Sequence, residues 1–229
     1  MAPSSAPHRG CMTLPTTPPR LDRVPVLARW FGSPARVMRS ARRARARSAV
    51  PLYPWLLADD FTRLPAAVQR LHASGPAVTA RGIATVTPAD TIVGRLLARL
   101  ARLPVAGSGL TLRIEVTARG GGEDWVRHYP SAVFRTRQIA AGAAGSGLLC
   151  EPIGPIALIF RLEARSHGLT FLLREARLFG MRLPLPLRPI VQARETADDG
   201  TYRFFVRVDL PFIGRLIQYQ GCLTEIENG

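Results

Sequence analysis

The segment Leu183–Leu223, LPLPLRPIVQARETADDGTYRFFVRVDLPFIGRLIQYQGCL, constrains the fold more than any other part of the chain. After a Pro-punctuated turn, side chains alternate apolar and polar through three runs, which is the period of antiparallel strands. Asp198-Asp199-Gly200 supplies a tight corner between the first two, because Asp tolerates left-handed backbone and Gly adopts it freely. The last hairpin sets its own register. Pairing Val208 with Ile217, Val206 with Tyr219, Phe204 with Gly221 and Tyr202 with Leu223 puts every apolar residue on one face. A slip of one residue would set them against Gln218 and Gln220. Opposite Phe204, the missing side chain of Gly221 leaves room for the aromatic ring. The other face carries Arg203, Arg207, Asp209, Gln218 and Gln220, with Glu195 possible beside them as part of either a wetted outer face or a partly polar lumen.

The same alternation runs back along the chain. Leu110–Val116 buries one face, and the runs 125–129, 134–139, 148–151, 156–164, 169–178, 190–196, 202–210 and 216–226 follow at about ten-residue spacing, joined by Gly turns. Ala77–Thr87 reads as an earlier strand. Before it, Leu52–Asp60 has a short helical look, and Leu64, Val68 and Leu71 share a helical face that Gly75 ends. Thr91–Leu103 is the clearest helix, with Ile92, Val93, Leu96, Leu97, Leu100 and Leu103 in an apolar stripe and Arg95, Arg99 and Arg102 opposite. That stripe suits packing on the core; alternatively, it could rest on an anionic membrane as a peripheral contact. The expected fold is α+β, mainly β: a curved antiparallel sheet or partly open β-barrel of about nine strands with two packed helices. It occupies residues 51–226 as a single domain.

Residues 1–49 form an Arg/Pro-rich tail with no sustained period, expected to be disordered. They hold ten Arg against Asp22 alone, so nine of the net +15 charges sit there and the body is only mildly basic. All 31 basic residues are Arg. A phosphate-gripping surface commonly mixes Lys with Arg, so the pattern reads as genomic codon bias. Arg36–Arg47 has a transit-peptide composition, yet composition specifies no receptor, which favours a solvated tail or an early start codon. Nucleic acid is an unfavoured partner, because the tail interleaves only Trp30 and Phe31 with its arginines. Cys11, Cys150 and Cys222 form no C-x-x-C pair and fit a reducing, cytoplasmic setting. No apolar run reaches the roughly 18–20 residues of a membrane span.

The block Glu151-Pro152-Ile153-Gly154-Pro155, then Leu183-Pro184-Leu185-Pro186, Glu195…Asp199-Gly200, and Phe204-Phe205-Val206-x-Val208…Pro211-x-x-Gly214…Tyr219-x-Gly221 resembles the bacterial domain of unknown function 4166. Leu71-His72 and Arg81-Gly82 look like the start of the same domain, so the resemblance covers about residues 51–225. It implies a sheet shaped by Gly, Pro and aromatic positions, and no particular activity. Family members occur alone or behind saccharopine-dehydrogenase-like reductases. The resemblance therefore implies a possible NAD(P)-dependent reductase partner, with this chain as its accessory domain in trans.

No motif carries catalytic chemistry. Gly142–Gly147 lacks the strand-to-helix junction and following acid of a dinucleotide site, and is expected to be a floppy loop. No G-x-S-x-G or metal-spaced His/Cys set exists, so neither cofactor nor metal is expected. His72 in the last turn of a helix, His128 and His167 each lack a visible partner. The expectation is a non-enzymatic binding module for an apolar or lipid-like small molecule. Its candidate ligand-binding residues are Phe160, Phe171, Glu195, Tyr202, Phe204, Arg207, Gln218 and Tyr219.

Overall fold

A computed structural model describes residues 50–228, Ser74 excepted. The tail at 1–49, and the disorder expected for it, lie outside the described residues. The chain opens with two short helices, α1 (Leu52–Leu57) and α2 (Ala66–His72), joined by a 3-10 turn, Ala58–Arg63. Strand β1 (Ala77–Thr87) and helix α3 (Ile92–Leu100) follow. Ten more strands complete the domain: β2 (Gly107–Arg119), β3 (Gly122–Tyr129), β4 (Ala132–Ala140), β5 (Leu148–Ile153), β6 (Ile156–Arg165), β7 (Gly168–Leu178), β8 (Met181–Arg182), β9 (Ile190–Asp198), β10 (Thr201–Leu210) and β11 (Gly214–Asn228).

The sheet runs β6-β5-β4-β3-β2-β1-β11-β10-β9-β7, and β6 pairs with β7 to close it. Every pairing is antiparallel, so the fold is a closed ten-strand barrel with β8 appended to β7. The sequence expectation of a partly open barrel with about nine strands is close, and the difference has a local basis. Two seams are paired only in part. β4 meets β5 at Ile139–Cys150 and Ala140–Leu149 alone, and Pro152, which has no amide to donate, follows in β5. β7 meets β9 only through Gly168–Leu172, and its far end, Arg177 and Leu178, pairs with β8 instead. Both seams part toward the same end. The barrel is a tight ring at one end and flared at the other.

At the tight end sit α1, the 3-10 turn and α2. Leu52, Tyr53, Leu56, Phe61, Val68 and Leu71 are buried there against inward residues of the barrel wall. The Gly-rich run is not floppy. The amides of Gly145 and Gly147 donate to the last carbonyls of α1, Trp55 O and Leu56 O, at 3.0 and 2.8 Å. Their φ values of +71° and +63° turn those amides toward the helix end, whose last carbonyls need N–H donors from outside the helix. The loop is the C-terminal cap of the plug.

Helix α3 lies at the flared end instead. Thr91 caps it, its hydroxyl accepting from Gly94 N at 3.1 Å. Of the stripe expected to pack on the core, Leu103 does so, whereas Ile92, Val93, Leu96 and Leu100 are exposed. Gly94 is the only buried residue of the helix, which approaches β11 on its Gly94 side and turns Ile92, Leu96 and Leu100 outward. An apolar periodicity predicts a face, and does not say which surface covers it.

The last hairpin has the register read from its side chains: Val208–Ile217, Val206–Tyr219, Phe204–Gly221 and Tyr202–Leu223. Gly221 is more constrained than that reading supposed. A Cβ there would meet Phe204 Cζ at 2.8 Å and would collide with the backbone carbonyl of Ile83 on β1. We expect Gly221→Val to cost about 3 kcal/mol by overpacking, whereas Gln220→Val on the outer face changes stability little. Urea unfolding of both variants tests this, and equal losses would contradict the register.

Candidate functional site

Alternation along the strands decides which side chains enter the barrel. Leu112 and Ile114 from β2, Trp125, Arg127 and Tyr129 from β3, Phe160 from β6 and Phe171 from β7 all point inward. So do Glu195 from β9, Tyr202, Phe204 and Val206 from β10, and Tyr219 from β11. They enclose a cavity of about 220 Å³. An engineered apolar cavity of roughly 150 Å³ accommodates benzene, so the space suffices for a small ligand. It extends from Gln138 and Glu195 near the plug to Ala101, Leu103, Pro104, Ile156 and Pro189 at the flared end.

Six of the eight candidate residues thus share one wall-lined space: Phe160, Phe171, Glu195, Tyr202, Phe204 and Tyr219. The other two, Arg207 and Gln218, face each other across the outer surface of β10 and β11. There Arg207 forks onto the Asp209 carboxylate with both contacts at 2.8 Å. Period two puts them outside once their neighbours are inside, so they do not line the cavity. Glu195 belongs with the apolar face rather than with this polar one, since it lies opposite Phe204 in the β9–β10 ladder. The outer face is also less wetted than expected: Arg203 is buried and bound to Asp198 at 2.8 Å, and Phe205 lies under the Arg194 guanidinium.

Two polar groups of residues stand out in the interior; the sequence points to Glu195 and Tyr202 of the first but not to their link with His72, and it does not point to Arg127 of the second. The first joins plug to wall. His72 Nε2 lies 2.5 Å from Glu195 Oε2, and the His72 ring stacks on Tyr53 at 3.7 Å between centroids. Tyr202 also hydrogen-bonds Glu195. The Tyr53 hydroxyl donates to Gln138 Oε1 at 2.7 Å, and Glu123 accepts from both Leu52 N and Trp125 Nε1. Burial pushes the Tyr53 and Tyr202 hydroxyls well above the usual tyrosine range, with the nearby Glu195 carboxylate adding to it, so both remain neutral donors. His72 thus has the partner that its isolated position in the sequence concealed, 123 residues away on β9.

The second group faces the open half of the cavity. Arg127 Nη1 donates to Thr136 Oγ1 at 3.0 Å, and the guanidinium lies over the rings of Trp125 and Phe134 at 5.2 and 5.8 Å. Among the described residues it forms no ion pair. Burial alone would lower its pKa, but Tyr219 and the Glu151 carboxylate hold it above the ordinary value, so the cation persists. Glu151 lines the same cavity from β5. The β3 alternation puts Arg127 on the same face as Trp125 and Tyr129, but a run as short as Trp125–Tyr129 does not by itself show that this face is the inner one.

Among the described residues, no cluster of three or more His, Cys, Asp or Glu able to hold a metal is present. Of the remaining histidines, His128 lies 3.6 Å from Glu115 on the barrel exterior, and His167 occupies the β6–β7 turn. Cys150 is buried beside the cavity wall, where burial foremost, helped by Glu151, pushes its thiol up to about 11. A thiol so placed stays protonated and inert. Two outcomes follow. His72→Ala strands Glu195 in the interior and should cost about 3 kcal/mol, read by urea unfolding against wild type; a loss below a few tenths would show that the pair does not hold the plug. Cys150 should resist iodoacetamide in the native protein at pH 8 and react only on unfolding, with peptide mass mapping as the readout.

Comparison with known proteins adds one finding. A family model described as Domain of unknown function (DUF4166) matches residues 64–223. That span takes in α2 with His72 and every residue lining the cavity, and leaves out α1 with Tyr53. No curated protein and no solved structure matches the chain. The match covers well over half of the sequence, and the chain belongs to the DUF4166 family.

Proposed function

We propose that the domain binds an apolar small molecule carrying one polar head, with its body in the aromatic-lined cavity and its head at Arg127. The observation that carries this reading is the guanidinium itself. A charge placed inside a barrel is normally paired or bonded on most of its donors. Arg127 has five N–H donors, yet only Thr136 accepts from it among the described residues. The free donors face a cavity otherwise walled by Leu112, Ile114, Phe160, Phe171, Phe204 and Val206. That arrangement, a few convergent polar groups in an apolar concavity, is how small-molecule sites orient a ligand.

A carboxylate or a comparable acceptor head supplies what the guanidinium lacks, through charge-assisted hydrogen bonds. Glu151 and the neutral hydroxyls of Tyr202 and Tyr219 line the same space, so a head that also donates is accommodated. The barrel exterior supports the inward direction of binding. Arg113, Glu115, Arg81 and Glu225 form ion pairs on its outer wall, the reverse of a barrel that turns its outside to lipid. No helix among the described residues is long and apolar enough to cross a membrane.

The test is titration of delipidated protein with parinaric acid, a fatty acid that fluoresces when enclosed. Saturable one-to-one binding is expected. Arg127→Leu should weaken it by at least tenfold, the order of one charge-assisted hydrogen bond. Val206→Trp, which fills the cavity, should abolish binding while preserving the folded state by circular dichroism. Absence of saturable binding, or equal affinity in all three proteins, would overturn the reading.

A further inference from the structure

Exposed apolar side chains are gathered at the flared end of the barrel. Phe212 between β10 and β11 is 92 % exposed, Ile92 of α3 79 % and Phe179 at the β7–β8 turn 77 %. Leu96 and Leu100 of α3 and Leu185 before β9 stand out in the same way. Away from this end, no large apolar side chain among the described residues is more than 45 % exposed. These tips come from four connections, β1–β2, β7–β8, β8–β9 and β10–β11, at the end where Ala101, Pro104 and Pro189 line the cavity mouth.

Charge at this end is one-sided. Its connecting segments hold Arg95, Arg99, Arg102 and Arg188, with Asp90 as the only acid, and Asp90 is bonded to Arg215; Arg182 in β8 pairs with Glu175, and Arg188 bonds the carbonyls of Leu183 and Arg174. Among the described residues Arg95, Arg99 and Arg102 form no ion pair. The plugged end is mixed, with Asp59, Asp60 and Asp199 near Arg63 and Arg70. On α3 the outward face carries the apolar row Ile92, Leu96 and Leu100 with Arg95 and Arg99 alongside, which is the layout of a helix lying in a headgroup layer.

We propose that the flared end docks on an anionic phospholipid bilayer, with the apolar tips entering the headgroup region and the arginines meeting lipid phosphates. The half of this proposal that concerns cargo rests on the binding reading above: docking would set the cavity mouth against the bilayer, so that ligand passes between them without crossing water. A bilayer fits better than a protein partner because the apolar tips form a ring about an opening. A ring offers a rigid protein surface little continuous area, whereas lipid fills in around each tip. Complementary charge selects the anionic surface.

The experiment is sedimentation of the full chain with vesicles of phosphatidylcholine alone or mixed with phosphatidylglycerol. Binding is expected only to the mixed vesicles, and it should weaken as salt rises. Leu96→Ser with Phe212→Ser should lower the partition coefficient at least tenfold. Arg95→Gln, Arg99→Gln and Arg102→Gln together should lower it about a hundredfold at low salt. Neither set of variants should change the thermal midpoint or parinaric acid binding. No sedimentation with mixed vesicles, or sedimentation unchanged by both sets, overturns the proposal. So does a wild-type dimer, seen by analytical ultracentrifugation, that the Leu96 and Phe212 substitutions dissociate, since the rim would then serve a second copy. Rim-dependent vesicle binding without parinaric acid binding would leave the docking standing and remove the cargo reading; the reverse would remove the docking alone.

Discussion

A ring of ten strands is too wide to be filled as an eight-stranded one is, by side chains from its own wall. Everything else in this structure answers that excess width. At one end the answer is a plug: α1, the 3-10 turn and α2 fold into the ring and bury Leu52, Tyr53, Leu56, Val68 and Leu71. At the other end nothing comparable enters. The seams β4–β5 and β7–β9 part, α3 lies with its apolar row outward, and a cavity remains. Plug and cavity are two consequences of one geometric constraint.

The plug is held by polar contacts as well as apolar ones, and these give it a definite position. An apolar helix pair could slide in a greasy ring at small cost. His72 on Glu195, Tyr53 on Gln138 and Glu123 on the first amide of α1 each tie one plug residue to one strand. In a low-dielectric interior, displacing any of them leaves a polar group unpaired, which is costlier than lost apolar contact. Glu195 has a further part, since it also accepts from Tyr202 and lines the cavity. The floor of the candidate site is therefore the roof of the plug, and Glu195 belongs to both.

Much of this was legible in the sequence where period two speaks for itself. The hairpin Tyr202–Leu223 could be registered residue by residue, because Gln218 and Gln220 penalise any slip. The Asp199-Gly200 corner followed from backbone preference, and the structure gives both residues positive φ. Less legible was anything that depends on contacts far apart in the chain. His72 looked isolated because Glu195 is brought to it only by ring closure. Arg127 looked like one more Arg among 31 in an Arg-rich chain, and only its facing distinguishes it. The α3 stripe obeyed its periodicity and still misled, since a pattern of apolar residues describes a face without naming what covers it. Arg207 and Gln218 were placed with the site because an outer and an inner polar face cannot be told apart until the curvature of the sheet is known.

The central claim is that the barrel interior is an open, ligand-sized space and not an ordinary packed core. A crystal structure of protein purified without detergent tests it most directly. The account predicts continuous density, from an elongated ligand or a file of ordered waters, running from Arg127 toward a mouth at Ala101 and Pro189, with Phe204 and Phe171 lining it. An interior closed by inward rotation of Phe160, Phe171, Phe204 and Tyr219, with the Arg127 guanidinium paired to Glu151 and no density between them, would contradict it.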